Sequence, residues 1–88
     1  MKERKTSILS QVYNLILNPE TLSSERTALL LFKRLVTSGE DFETELIKLS
    51  NSLGKIAVTQ SARQKSLSRG VAALYRQIQF VGEKKRAN

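Results

Sequence analysis

The sequence contains no cysteine and no histidine. Without cysteine it can form neither a disulfide nor a thiolate metal site. Without histidine it lacks the usual general base near neutral pH and the commonest zinc ligand. Its 88 residues suffice for one domain at most. We therefore expect no enzymatic activity, no bound metal and no cofactor.

Long hydrophobic runs are also missing. No run exceeds that of residues 28–32, which is far shorter than the ~18 apolar residues of a membrane-spanning helix. The N-terminal stretch MKERKTSILSQVYNLILNPE begins with charges, but polar residues interrupt its apolar part and no small-residue cleavage site follows. These features predict an intracellular, soluble protein.

Proline occurs once and glycine four times, and such sparse turn residues favour helices. We predict four helices, near residues 5–18, 23–37, 41–58 and 62–81. Asn18-Pro19 ends the first, because the residue before proline avoids helical geometry. Ser23 or Ser24 is the predicted cap of the second. Its predicted inward residues are Ala28, Leu31, Phe32 and Leu35.

The last two helices have the clearest apolar periodicity. Core-facing residues recur at spacings of 4, 3, 4 and 3 in both: Phe42, Leu46, Leu49, Leu53 and Ile56, then Leu67, Val71, Leu74, Ile78 and Val81. Residues 61–64 fit the capping box S-x-x-Q and predict the start of the fourth helix, and Gly82 predicts its end. Gly54 either breaks the third helix or lets another helix approach closely.

Four amphipathic helices with short links predict an all-α fold, an antiparallel four-helix bundle. The main alternative has three helices, with the last two merged or the first detached. We expect one domain over residues 1–82, followed by a flexible basic tail over residues 83–88.

The positive charge is concentrated in the C-terminal half. The net charge is +7, yet residues 1–45 hold six Lys/Arg against seven Asp/Glu, and residues 46–88 hold nine against one. At about 100° per residue, Lys65, Arg69 and Arg76 fall within roughly 40° of one another, on the side of the last helix away from its apolar residues. A solvated helix face explains any single cation equally well.

This charge pattern predicts a C-terminal basic surface that binds a partner. Two aromatic residues on the last helix, of the kind that recognition surfaces use, belong to it. Its candidate residues are Arg63, Lys65, Arg69, Tyr75, Arg76, Phe80, Lys84, Lys85 and Arg86.

Glu40, Asp41, Glu43 and Glu45 form the one carboxylate cluster. Such acids could bind a hard cation or act as acid and base. Because they lie where the third helix begins, we interpret them instead as partners of the helix dipole.

Nucleic acid is another partner to consider for so basic a chain. However, aromatic residues do not alternate with the cations, and acids begin the helix after the turn at residues 37–39, where a recognition helix would meet phosphates. We expect no specific nucleic-acid binding. A nucleic-acid-associated regulator and a plain helical adaptor remain the alternative functions.

The chain also resembles a known family. YNLILNPE (residues 13–20), DFE (41–43) leading into LIKLSNSL (46–53), and LYR (74–76) resemble the small immunity proteins that protect bacteria from their own pediocin-like bacteriocins, especially the enterocin A immunity group. The resemblance spans about residues 8–80.

This resemblance implies a cytoplasmic four-helix bundle without catalytic activity. It implies that the partner is the mannose phosphotransferase permease, met at the inner membrane face once a bacteriocin has engaged it. It also implies that the C-terminal half selects the bacteriocin. A peripheral contact with anionic lipid is a further expectation, since basic segments gain about 1 kcal/mol per cation there.

Overall fold

The computed structural model describes the backbone of residues 2–87 and the side chains of residues 5–79. It contains four helices, α1 (Lys2–Leu17), α2 (Ser23–Thr37), α3 (Phe42–Ala62) and α4 (Arg69–Ala87), and no strand within the described backbone. Each helix packs against the next, and α4 packs against α1. The all-α class and the antiparallel four-helix bundle are thus confirmed.

The first two helices are joined by a tight turn after Asn18-Pro19. Thr21 binds back to the end of α1, where its hydroxyl donates to the Leu15 carbonyl oxygen at 2.6 Å. The prediction that Ser23 or Ser24 caps α2 is wrong. Leu22 is the extended residue before the helix, and its N–H donates to the Glu25 carboxylate at 2.8 Å. Glu25 thus satisfies the donor that the glutamate of a capping box satisfies, and no side chain takes the serine's part.

The third helix is longer than predicted and passes through Gly54 unbroken. Asp41 is its N-cap and accepts the N–H of Thr44 at 2.9 Å. The predicted capping box at residues 61–64 is wrong, because Ser61 and Ala62 still belong to α3. Gln64, in the left-handed region at φ 61°, turns the chain away from the helix axis.

The fourth helix begins seven residues later than predicted, at Arg69. Ser68 precedes it, and the Ser68 carbonyl oxygen accepts the N–H of Ala72 at 2.8 Å. The helical backbone continues past Gly82 to Ala87. The division into a domain over residues 1–82 and a flexible tail stays a prediction.

The buried core draws on all four helices, and the predicted core residues of α3 and α4 are confirmed at Leu46, Leu49, Leu53, Val71, Leu74 and Ile78. Phe42, Ile56 and Leu67 are only half-buried against this core. The placement of Leu67 on the fourth helix is wrong, because α4 begins two residues later. The remaining buried apolar residues are Ile8, Val12, Leu15, Leu29 and Phe32. Leu31 was predicted to face inward but is 55% exposed, and Leu29 is buried instead. Glu25, Leu29, Phe32 and the half-buried Val36 share one face at helical spacing, which directs Leu31 outward.

Replacing Leu74 by alanine should lower the free energy of unfolding by about 2–5 kcal/mol, because Leu74 is fully buried and a cavity would remain. The matched control is Leu31→Ala, which should change it by no more than about 0.5 kcal/mol. Urea denaturation of the two variants measures both values. Equal losses would contradict this assignment of the core.

Candidate partner-binding surface

Two of the predicted basic residues lie in the segment that connects α3 to α4. Arg63 follows the last residue of α3, and Lys65 lies two residues further on; both side chains are exposed. The Lys65 N–H donates to the Gln60 carbonyl oxygen at 2.7 Å, which folds this segment against the end of α3. Lys65 was placed on the last helix by its spacing, and that placement is wrong because α4 begins only at Arg69.

Arg69 and Arg76 are exposed residues of α4 and lie on one side of it, about two turns apart. The buried residues Val71, Leu74 and Ile78 occupy the other side. The core therefore makes no use of either guanidinium group. Arg69, at the start of the helix, is also close in sequence to the connecting segment that carries Arg63 and Lys65.

Tyr75 lies half-buried between α4 and α3, packed against the core. An ideal Cβ on Gly54 would lie 3.1 Å from the Tyr75 hydroxyl oxygen. Gly54 therefore permits the close approach that was one of its two predicted roles. The ring contributes mainly to the α3–α4 contact, and only part of its surface is open to a partner.

Four candidate residues, Phe80, Lys84, Lys85 and Arg86, have side chains outside the described residues. Their membership of the surface stays a prediction. The described part of the candidate surface thus consists of Arg63, Lys65, Arg69, Arg76 and the accessible part of Tyr75. We call these five residues the basic surface.

The residue that positions this surface is Glu25, at the start of α2. Its side chain is fully buried. Its carboxylate accepts the Ser68 N–H at 2.8 Å and the Ser68 hydroxyl at 2.7 Å, in addition to the N–H of Leu22. One carboxylate therefore binds the start of both α2 and α4. Ser68 immediately precedes Arg69, so these bonds determine where the basic connecting segment ends.

The neighbouring end of α1 is held by Arg26. Its Nε donates to the Ile16 carbonyl oxygen at 2.9 Å, and a terminal guanidinium nitrogen donates to the Asn18 carbonyl oxygen at 2.9 Å. Helix C-termini carry unpaired carbonyl groups and partial negative charge, which a guanidinium group satisfies. At this end of the bundle, side chains from α2 therefore bind both the end of α1 and the start of α4.

Sequence reasoning assigned Glu25 only to the first turn of α2 and did not find its bond to Ser68. The two residues are 43 positions apart. Nothing in local spacing relates such residues. The one local feature that could have indicated this bond is that a serine, Ser68, immediately precedes Arg69.

The acidic cluster has structural partners where the structure describes them. Asp41 caps α3, and the buried carboxylate of Glu45 pairs with Lys48 at 3.2 Å. Among the described residues there is no group of carboxylates arranged to hold a metal ion. The interaction of Asp41 with the helix start agrees with the dipole interpretation.

The basic surface is suited to recognise negative charge. Residues 46–79 include no aspartate and no glutamate, so no carboxylate of that segment competes for its guanidinium groups. Arginine binds planar anionic groups with several donors at once. None of the helices, over the described residues, is long and apolar enough to cross a membrane.

Comparison with known proteins identifies a family. The sequence profile of the bacteriocin immunity protein family matches residues 3–82, which span all four helices. Comparison with curated proteins and with solved structures gives no match.

Replacing Glu25 by alanine should lower the free energy of unfolding by about 2–4 kcal/mol, because three partly buried donors lose their carboxylate acceptor. Ser68→Ala should cost less, since two N–H donors still bind the carboxylate. The double variant should cost less than the sum of the two single ones, because they remove a shared interaction. Denaturation of all three variants measures this coupling.

The matched control is Glu20→Ala, which removes an exposed carboxylate from the nearby turn and should change stability by no more than about 0.5 kcal/mol. If Glu25→Ala were as mild as this control, Glu25 would not join α2 to α4. Strict additivity of Glu25→Ala and Ser68→Ala would show that the Ser68 hydroxyl takes no part in the interaction.

Proposed function

This chain belongs to the bacteriocin immunity protein family, and we propose that it protects its cell against a pediocin-like bacteriocin. It does so from the cytoplasm and without catalysis. It binds the mannose phosphotransferase permease at the inner membrane face once the bacteriocin has engaged it. The binding blocks the membrane lesion that would otherwise form.

The observation that carries this proposal is the family match over the whole bundle, joined to exposed cations that the fold does not need. Arg69 and Arg76 point away from the core. A fold of this size requires apolar residues on the inner side of α4 but no arginine on its outer side. The basic surface is therefore the described part of the molecule that we assign to the partner.

Binding through this surface follows from charge and from rigidity. A net charge of +7 speeds encounter with an anionic partner, and local complementarity then selects the correct orientation. Because Glu25 binds the start of α4, the backbone that carries Arg69 is ordered before binding, and the loss of conformational freedom falls mainly on the exposed side chains. Charge complementarity and an ordered backbone thus both favour binding through the basic surface.

Without catalysis, the degree of protection depends on how many molecules of the protein are present. Because the chain has no histidine and no cysteine, it cannot form the catalytic pairs in which histidine activates a serine or cysteine nucleophile. Each molecule protects only the permease that it occupies. Protection should therefore rise with the level of the protein and saturate when the engaged permease is fully bound.

Expression of this chain in a sensitive strain should raise the inhibitory concentration of at least one pediocin-like bacteriocin. The measurement is growth inhibition against a broad panel of these peptides, with a strain carrying the empty vector as control. Unchanged sensitivity to every peptide, with the protein shown to be folded and abundant, would contradict the proposal.

Replacing both Arg69 and Arg76 by glutamate should reduce protection, because like charges would then face an anionic partner. The change should leave the free energy of unfolding within about 1 kcal/mol, since both side chains are exposed. The inhibitory concentration and the urea midpoint are measured on the same variant.

The matched control is Arg69→Lys with Arg76→Lys, which preserves both charges. It should retain more protection than the glutamate pair. A folded glutamate variant that protects as well as the parent would show that these arginines form only a solvated helix face.

A further inference from the structure

The side of the bundle formed by α1 and α2 carries exposed apolar residues that the proposed function does not use. The helices pack in the cyclic order α1, α2, α3, α4, so this side lies across the bundle from α3 and α4. Tyr13, Leu17 and Leu30 are 51%, 64% and 41% exposed. We call the surface of Tyr13, Leu17, Leu30, Lys33 and Arg34 the α1–α2 face.

Two contacts between the helices show that these side chains share one face. Near one end, Arg26 of α2 binds the Ile16 carbonyl of α1. Towards the other end, Lys33 Nζ lies 5.8 Å from the centre of the Tyr13 ring. Leu30 comes one helical turn after Arg26 and one turn before Lys33, and is therefore on the edge of α2 that borders α1. Leu17 lies one turn after Tyr13 on α1.

The charged residues of this face are both cations, and the nearest exposed acid along the chain, Glu20, lies in the turn after Leu17. Lys33 lies beside Tyr13, and Arg34 lies one turn from Leu30. Residues 5–17 contain no acid, and the single acid of α2, Glu25, is fully buried. Among the described residues of the two helices, none offers an exposed carboxylate to this face.

Apolar residues flanked by cations, with a tyrosine among them, are the composition of surfaces that lie in the membrane interface. The charge argues against a second copy of the chain as the occupant, because two such faces would bring like charges together. We propose that the α1–α2 face rests on an anionic lipid leaflet. Tyr13, Leu17 and Leu30 enter the headgroup region, and Lys33 and Arg34 contact lipid phosphates.

This orientation leaves the outer side of α4 turned away from the lipid and open to a protein. Charge alone would instead favour lipid binding by the C-terminal cations, so the two possibilities predict different effects of substitution. The inference depends on surface composition and not on immunity, so purified protein and vesicles test it without any bacteriocin.

The test is co-sedimentation of the full chain with vesicles of phosphatidylglycerol and phosphatidylcholine, compared with vesicles of phosphatidylcholine alone. We expect binding to the anionic vesicles that weakens with salt. Leu17→Gln with Leu30→Gln should weaken it about tenfold, because two half-exposed apolar side chains lose their transfer into the interface. Both changes are at exposed positions, and thermal unfolding confirms that the fold is kept.

Two matched controls separate this face from the rest of the surface. Leu31→Gln with Val58→Gln alters two other exposed apolar residues, at 55% and 72% exposure, and should leave vesicle binding unchanged. Lys33→Gln with Arg34→Gln and Arg69→Gln with Arg76→Gln remove the same net charge. The first pair should weaken binding more than the second.

Several results would overturn the proposal. One is equal binding by the Leu17/Leu30 variant and its Leu31/Val58 control. Another is a greater loss from the Arg69/Arg76 pair, which would assign lipid binding to α4. A third is no vesicle binding together with a concentration-dependent dimer that Leu17→Gln with Leu30→Gln abolishes, since the face would then bind a second copy.

Discussion

The structure depends on one buried carboxylate. Glu25 is closed off from water and accepts hydrogen bonds from Leu22 at the start of α2 and from Ser68 at the start of α4. An ionised carboxylate in such a place is costly unless donors surround it, and helix starts supply both N–H donors and partial positive charge. The same interaction therefore satisfies the buried group and fixes α4 relative to α2. The rest of the bundle end is arranged around it.

The spacing of α4 from its neighbours is set by two glycines. Gly54 of α3 faces the Tyr75 hydroxyl, and a Cβ on Gly70 of α4 would overlap the Leu15 side chain of α1. Larger residues at these positions would push the helices apart or displace the side chains. With its inner side in the core and its two edges against α1 and α3, α4 keeps only its outer side free. That is where the structure places Arg69 and Arg76.

The surface is divided between two kinds of chemistry. The outer side of α4 and the connection before it present cations, and the α1–α2 face presents apolar side chains beside Lys33 and Arg34. A small bundle can offer two partners different surfaces because each pair of helices forms a separate side. For a member of an immunity family, this separation is consistent with contact to a protein on one side and to lipid on the other.

The sequence by itself determined that the chain is helical, favoured four helices over three, and identified the buried apolar residues at the centre of α3 and α4, because their 4-3 apolar spacing is compatible with only one inward face. Among the consecutive residues Leu29, Leu30 and Leu31 it favoured Leu31, and packing selected Leu29 instead. The start of α4 could not be found from the sequence either.

Residues 61–64 satisfy a local capping rule as well as Ser68 does, and the bond from Ser68 to a carboxylate 43 residues away decided between the two starts. The placement of Lys65 off the helix followed from that choice. Local sequence patterns reflect the requirements of a single helix, whereas the start of α4 depends on a buried carboxylate that α2 contributes.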